Sequence, residues 1–201
     1  MTHESGFIEP DSDPWVTFAE WYRGACESDL EMPNAMTLAT VDSEGRPNAR
    51  VVLLKGWDRH GFQFFTNYRS QKGNELEAHP RAAAVFWWEP LHRQIRIRGE
   101  ISHMTPEASD AYFQTRDRES QIGAWASRQS AVIASREVLE HAVTEMEARF
   151  AGGAVPRPPH WGGFRLDPFE IEFWQERPHR LHDRMVFRRD GQGWTQSRLS
   201  P

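Results

Sequence analysis

Apolar residues along this chain change their spacing several times, and each change marks a new kind of element. Near the start they fall at Trp15, Phe18, Ala19, Tyr22, Ala25 and Cys26, the spacing of one helical face. Asp13-Pro14 supplies an N-cap and a first-turn proline, and Pro33-Asn34 ends the segment. Cys26 lies on the stripe and is expected to be inert core. Short β-compatible runs follow over 35–41, over 48–55 with its Val51-Val52-Leu53-Leu54 block, and over 62–66. Ser43-Glu44-Gly45-Arg46 and Asp58-Arg59-His60-Gly61 separate them as tight turns, so antiparallel hairpins are expected. After a short helix over 70–78, strands are predicted over 82–88 and 94–104. In the second, Gln94, Arg96, Arg98 and Glu100 alternate with Ile95, Ile97, Gly99 and Ile101. One face is therefore buried and the other polar.

The middle of the chain reads as helical. Thr105-Pro106-Glu107 starts one helix and 120–126 fits another; 135–150 carries Val138, Leu139, Ala142, Met146 and Phe150 on one stripe. The Gly- and Pro-rich stretch 151–159 is a connection. Strands return over 163–166, 169–175, 184–188 and 194–199, the last two joined by the turn Asp190-Gly191-Gln192-Gly193. Short strands with local turns, interrupted by helices and lacking βαβ alternation, predict a mainly β fold with helical additions, built as an antiparallel barrel. Residues 14–201 are expected to form a single domain, and the polar, acidic 1–13 a flexible N-terminal segment.

Composition narrows the function classes. At 201 residues, 38% apolar and 26% charged, the chain can bury one good core and is not a disordered segment. A net charge of −5 argues against a general nucleic-acid binder. No apolar run is long enough to span a bilayer, and the start lacks a basic-then-apolar leader. With a single cysteine, the expectation is a soluble cytoplasmic protein with neither a membrane nor a nucleic-acid partner. Nine Trp and 12 Phe against 3 Tyr imply large flat surfaces to cover: a broad core, a subunit interface or a ring-shaped ligand.

Several familiar sites are absent from the sequence. It holds no Gly-rich dinucleotide or P-loop fingerprint, no G-x-S-x-G elbow and no H-E-x-x-H pair, and no metal site is expected. What remains is cations beside strands and turns. Arg50 and Lys55 bracket the Val-Leu block, Lys72 opens a short helix whose free N–H groups favour a phosphate, and Arg180, His182 and Arg184 share the run RLHDR. Each has a plain reading as a surface cation; together they suit a phosphorylated ligand. Arg50 and Lys55 differ by five, so in a regular strand they face opposite sides. Either a bulge intervenes or they serve different ligands. The run SQIGAWASRQS over 120–130 is rich in Ser and Gln. It is either a serine-capped helix and loop or a hydrogen-bonding loop suited to a flavin edge. Trp174 is either core or a stacking surface.

These residues, read together, resemble the pyridoxine (pyridoxamine) 5′-phosphate oxidase family. The resemblance runs from about Ala35 to Pro201 and rests on ordered strings: ARVVLLK, FFTNYRSQKGNEL, WWEPLHRQIRIRGE, YFQTR, SQIGAWASRQS, VPRPPHWGGFR, EFWQ, RLHDR and RLSP. It implies a homodimeric split β-barrel that binds FMN at the subunit interface. It also implies oxidation of pyridoxine 5′-phosphate or pyridoxamine 5′-phosphate to pyridoxal 5′-phosphate. Oxygen reoxidises the flavin, releasing hydrogen peroxide, and the amine substrate also yields ammonia. By the same resemblance Arg50, Val51 and Lys72 lie on the FMN side, Phe65 and Thr66 line the flavin, and Gln94 meets it from the same subunit. Gln129, Ser130, Trp174 and Arg184 complete the cofactor site, some of them from the partner chain. Lys55, Tyr112, Arg116 and Ser120 take the substrate phosphate. Arg180 and His182 lie over the substrate ring as catalytic residues, beside the carbon that passes hydride to flavin N5. This division gives Arg50 to the cofactor and Lys55 to the substrate.

The chain departs from the family pattern at Gln71, usually Arg; at Asp117, commonly Pro; and at Glu176, usually Gly. Residues 1–13 contain no Arg or Lys, so the basic arm of many members is not recognisable. Competing readings are a phenazine-biosynthesis oxidase of the same fold, a non-catalytic binder of FMN or pyridoxal phosphate, and a ligand-free dimerisation barrel.

Overall fold

A computed structural model of the chain describes residues 7, 8, 12–191 and 193–201. Most of the segment expected to be flexible, 1–13, lies outside that set, as does Gln192 of the last predicted turn. Phe7 meets Trp21 edge-on at 6.1 Å, and Ile8 is buried.

Helix α1 (Pro14–Cys26) begins where Asp13 accepts the Trp15 N–H at 2.8 Å and Pro14 occupies the first turn. Its Trp15, Phe18, Trp21 and Ala25 are buried. Cys26 is exposed, contrary to expectation, because the helix ends there and the stripe runs off the core. Then come β1 (Ala35–Val41), β2 (Pro47–Leu53), β3 (Gly56–Asp58), β4 (Gly61–Asn67), α2 (Gln71–Ala78), β5 (Arg81–Trp88) and β6 (Arg93–His103). Three helices follow, α3 (Pro106–Gln114), α4 (Arg118–Ala126) and α5 (Arg136–Arg149), and then β7 (Trp161–Gln175), β8 (Asp183–Asp190) and β9 (Gly193–Arg198).

The strands form one antiparallel sheet in the order β2-β1-β5-β6-β7-β4-β3, with β8 paired to β7 and β9 to β8. This is the mainly β, antiparallel fold with helical additions read from the sequence. The two tail strands expected over 163–166 and 169–175 are one, β7, that runs through Pro168. Pro168 has no N–H to give, and there β7 changes partners. Trp161–Leu166 pair with β4, and Glu170–Gln175 pair with β8. On the other edge β6 follows β7 throughout, with a register shift between Arg98 and Gly99 opposite this point. Gly99 is needed there: a Cβ would stand 2.2 Å from the Asp167 carbonyl oxygen.

The polar alternation of β6 extends across the sheet. Ile95, Ile97, Phe173, Ile171, Met185 and Phe187 face the core, where Phe18 packs edge-on against Phe62 at 4.9 Å. The opposite face carries Gln94, Arg96 and Arg98 on β6, opposite Trp174, Glu172 and Glu170 on β7. A second core of Phe113, Ile122, Val155 and Trp161 lies under α3 and α4. The stripe of α5 is only half-buried against it, and Val138 is exposed.

Candidate active site

A cavity of about 720 Å³ opens between β2, the end of β4, α2, and the α3–α4 pair, within the usual size of ligand pockets. On its α2 side, Ser70 caps the helix by accepting the Gly73 N–H at 3.2 Å and donating to the Asn67 carbonyl at 2.7 Å. That cap turns Lys72 back onto the strand, where Nζ donates to Thr66 Oγ1 at 2.9 Å and to Gln129 Oε1 at 3.2 Å. Burial, and next the Arg50 charge, push the Lys72 ammonium below its ordinary lysine value; Glu75 pulls it back. Val51 and Phe65 complete this wall.

Lys55, Tyr112, Arg116 and Ser120 line the same cavity. Tyr112 stacks on Phe65 with ring centroids 3.9 Å apart, and Lys55 Nζ lies 6.0 Å from the Tyr112 ring centre. The Arg116 guanidinium rests 4.7 Å over the Trp161 ring. Its Nη1 is buried without a hydrogen-bond partner among the described residues, and burial pushes its pKa down. Asp117 lines the same cavity and caps α4, accepting the Ser120 N–H at 2.7 Å.

Arg50 stands behind this cavity. It donates to the Leu38 carbonyl at 3.2 Å and to the Thr40 hydroxyl, and pairs with buried Glu75 at 2.8 Å. The odd Arg50–Lys55 spacing needs no bulge, because β2 ends at Leu53 and Lys55 lies beyond it. Ser130 borders a neighbouring cavity with Arg69 and His160.

The remaining predicted residues form a second group. Gln94, Trp174 and Arg184 stand side by side across β6, β7 and β8. The His182 ring lies 4.6 Å from Trp174, and its Nδ1 accepts the Arg177 N–H at 3.2 Å, which leaves the neutral ring's proton on Nε2. None of these residues lines the cavity of Lys72 and Arg116. Gln94, expected to meet the flavin beside Thr66 within one subunit, belongs to this second group. Ser130, His179 and Arg180 have φ of 71°, 58° and 61°. Such left-handed non-glycine residues are held by their surroundings and cluster at functional sites.

Sequence reasoning missed two buried carboxylates, Glu75 and Glu172, each bonded to an arginine of the predicted site. For Glu172 a signal was available: Glu170 and Glu172 alternate with apolar residues, as Arg96 and Arg98 do.

The family model for pyridoxamine 5′-phosphate oxidase matches residues 23–150, and that for the pyridoxine 5′-phosphate oxidase C-terminal dimerisation region matches 161–201. The chain is 55% identical over 199 residues to a pyridoxine/pyridoxamine 5′-phosphate oxidase of Azorhizobium caulinodans, covering 98% of this chain and 94% of the relative. It is also 55% identical to that of Microcystis aeruginosa, covering 96% and 91%. Among solved structures, PhzG from Burkholderia lata in complex with tetrahydrophenazine-1-carboxylic acid superposes with a TM-score of 0.90 at 34% identity, covering 96% and 95%. With matching models over most of its length and relatives at this identity, the chain belongs to the pyridoxamine 5′-phosphate oxidase family.

Proposed function

We propose that this chain is an FMN-dependent oxidase that converts pyridoxine 5′-phosphate and pyridoxamine 5′-phosphate to pyridoxal 5′-phosphate, with oxygen as the electron acceptor. The similar bacterial relatives carry that name. The observation that carries the reading is the convergence of Lys55, Tyr112, Arg116 and Ser120 on a cavity that Thr66, Lys72 and Gln129 also line. Both groups of residues want an anion. Arg116 Nη1 is buried and, among the described residues, unpartnered, and Lys72 is desolvated beside a second cation. Two phosphates, one per group, answer both. The residues present therefore fit FMN together with a phosphorylated substrate.

FMN held there would supply the redox chemistry, a two-electron acceptor for the substrate's 4′ carbon that oxygen would reoxidise with release of hydrogen peroxide. The chain's own task is to bind and align. Lys55, Arg116 and Ser120 hold the substrate phosphate, with Tyr112 beside them. Lys72, Thr66 and Arg50 serve the cofactor phosphate, and Val51, Phe65, Gln129 and Ser130 border the ring. Trp174, Arg184, Arg180, His182 and Gln94 come from a second copy, in keeping with the dimerisation region over 161–201. The imine that the amine substrate becomes on losing hydride and a proton takes up water and releases ammonia, leaving the aldehyde.

A phenazine-type substrate is less favoured. PhzG is 34% identical against 55% for the B6 oxidases, and a ligand without phosphate leaves Lys55 and Arg116 unanswered. The reading carries a cytoplasmic location, which suits the exposed thiol of Cys26. Among the described residues, no helix is long and apolar enough to cross a membrane. The test is an anaerobic titration of the FMN-loaded protein with pyridoxine 5′-phosphate. Bleaching of the visible flavin band that returns with air is expected; a band that stays unbleached would overturn the reading.

A further inference from the structure

The outward face of β6, β7 and β8 carries two carboxylates between arginines. Glu170, between Arg98 at 3.3 Å and Arg188 at 2.9 Å, has partners that are both half-exposed. Glu172 differs. Its side chain is 5% exposed, and it takes Arg96 Nη1 on Oε2 at 3.0 Å and Arg184 Nε on Oε1 at 2.8 Å. The Arg184 guanidinium has another anchor, its Nη1 donating to the Ser200 carbonyl at 3.0 Å. Two anchors fix the plane of a rigid fork. Among the described residues, no hydrogen bond engages Nη2.

A carboxylate buried between two arginines adds little net stability, because desolvation offsets the attraction. Its consequence lies in orientation. Arg184 stands directly across from Trp174, which stands across from Gln94. A flexible arginine at the end of that row would sample many rotamers; one held at Nε and Nη1 has a single direction to offer.

We propose that Glu172 is a positioning residue: with the Ser200 carbonyl it locks Arg184 so that its remaining donor is presented to the flavin. This rests on the assignment of Arg184 to the cofactor made above. Glu172 itself need not touch the flavin.

The test is a double-mutant cycle on cofactor affinity, read by quenching of FMN fluorescence as apoprotein is added, with E172Q, R184Q and the double variant. R184Q should weaken FMN binding clearly, and E172Q by about tenfold, the scale of one charge-assisted hydrogen bond. The double variant should bind FMN within about twofold of R184Q, since residues acting through one another are not additive. E172Q apoprotein should still melt in one cooperative transition, at a temperature lowered by the loss of one charge from a buried pair, and FMN affinity compared well below that transition separates positioning from a fold defect. Parent-like FMN affinity in E172Q, or losses that multiply in the double variant, would overturn the proposal. Parent-like affinity in R184Q would instead remove the assignment of Arg184 on which it rests. Should E172Q fail to fold, E172D keeps the charge and withdraws the carboxylate by one methylene. It should also weaken FMN, and unchanged affinity there counts against positioning.

Discussion

Arg50 and Glu75 form an ion pair at 2.8 Å with side chains 19% and 4% exposed, and the same carboxylate accepts hydrogen bonds from Thr40 and Asn48. One buried group thus ties β1, β2 and α2 together behind the cavity. Burial alone would raise the Glu75 pKa, but the hydrogen bonds from Asn48, Thr40 and Arg50 outweigh it and hold it below the ordinary glutamate value. A carboxyl whose folded pKa is depressed stabilises the fold above its unfolded pKa, and that stability fades as pH falls through the folded value. Glu75→Ala should cost about 3–5 kcal/mol at neutral pH, the usual loss when one partner of a buried pair is removed. Denaturant melts from pH 7 down to pH 3 should show the gap between parent and variant closing on the acid side. A gap constant with pH would show that Glu75 does not titrate with folding.

Arg116 is the cation whose buried Nη1 has no hydrogen-bond partner among the described residues. Arg116→Ala should raise KM for pyridoxine 5′-phosphate by about 10- to 100-fold, the value of one or two hydrogen bonds to a charged group. Turnover at saturation should change much less. Steady-state kinetics separate the two parameters. A fall in kcat at unchanged KM would move Arg116 from phosphate binding to the chemical step.

Asp117 places a carboxylate in the same cavity while it caps α4. Asp117→Asn keeps the cap, since Asn caps about as well as Asp, and removes the charge that opposes an incoming phosphate. The substrate KM should fall by about two- to fivefold at low salt, with the advantage shrinking as salt screens it. Comparing KM at two ionic strengths is the check, and a KM that rises at both would contradict it.

Gly99→Ala tests the crossing of β6 and β7. The added methyl meets the backbone of Asp167, which cannot swing away as a side chain can. A loss of about 1–3 kcal/mol or more is expected from overpacking, measured as a lowered urea midpoint with an unchanged slope.

Much of the secondary structure was legible because it depends on local rules. Asp13-Pro14 and Thr105-Pro106 start helices, with Asp13 and Thr105 as the caps, and β1 spans the residues its pattern predicts. Pro168 was misleading. It reads as a break, yet its missing N–H falls where β7 changes partners. Cys26 misled in the opposite way, because a periodic stripe does not show where the core stops. The site was legible mainly through the family resemblance. Spacing left open whether Arg50 and Lys55 serve one ligand or two and gave no sign that Glu75 lies behind the first, and no pattern in one chain shows which side chains a second copy brings.

Strand β7 begins at Trp161, against the cavity wall, and ends beside Trp174 in the second group. At about 3.3 Å per residue these two points are on the order of 40 Å apart along the strand. Under the proposed two-chain site, β7 acts as a ruler that keeps each copy's two half-sites from meeting each other. Defects in the two halves should then complement. Assayed at substrate and FMN concentrations too low to saturate either variant, Arg116→Ala and Arg184→Gln subunits are each weakly active as pure dimers, and on random mixing would rebuild one intact site per mixed dimer. Under those conditions roughly a quarter of parental activity would return from two impaired proteins, the allotment that twofold pairing dictates.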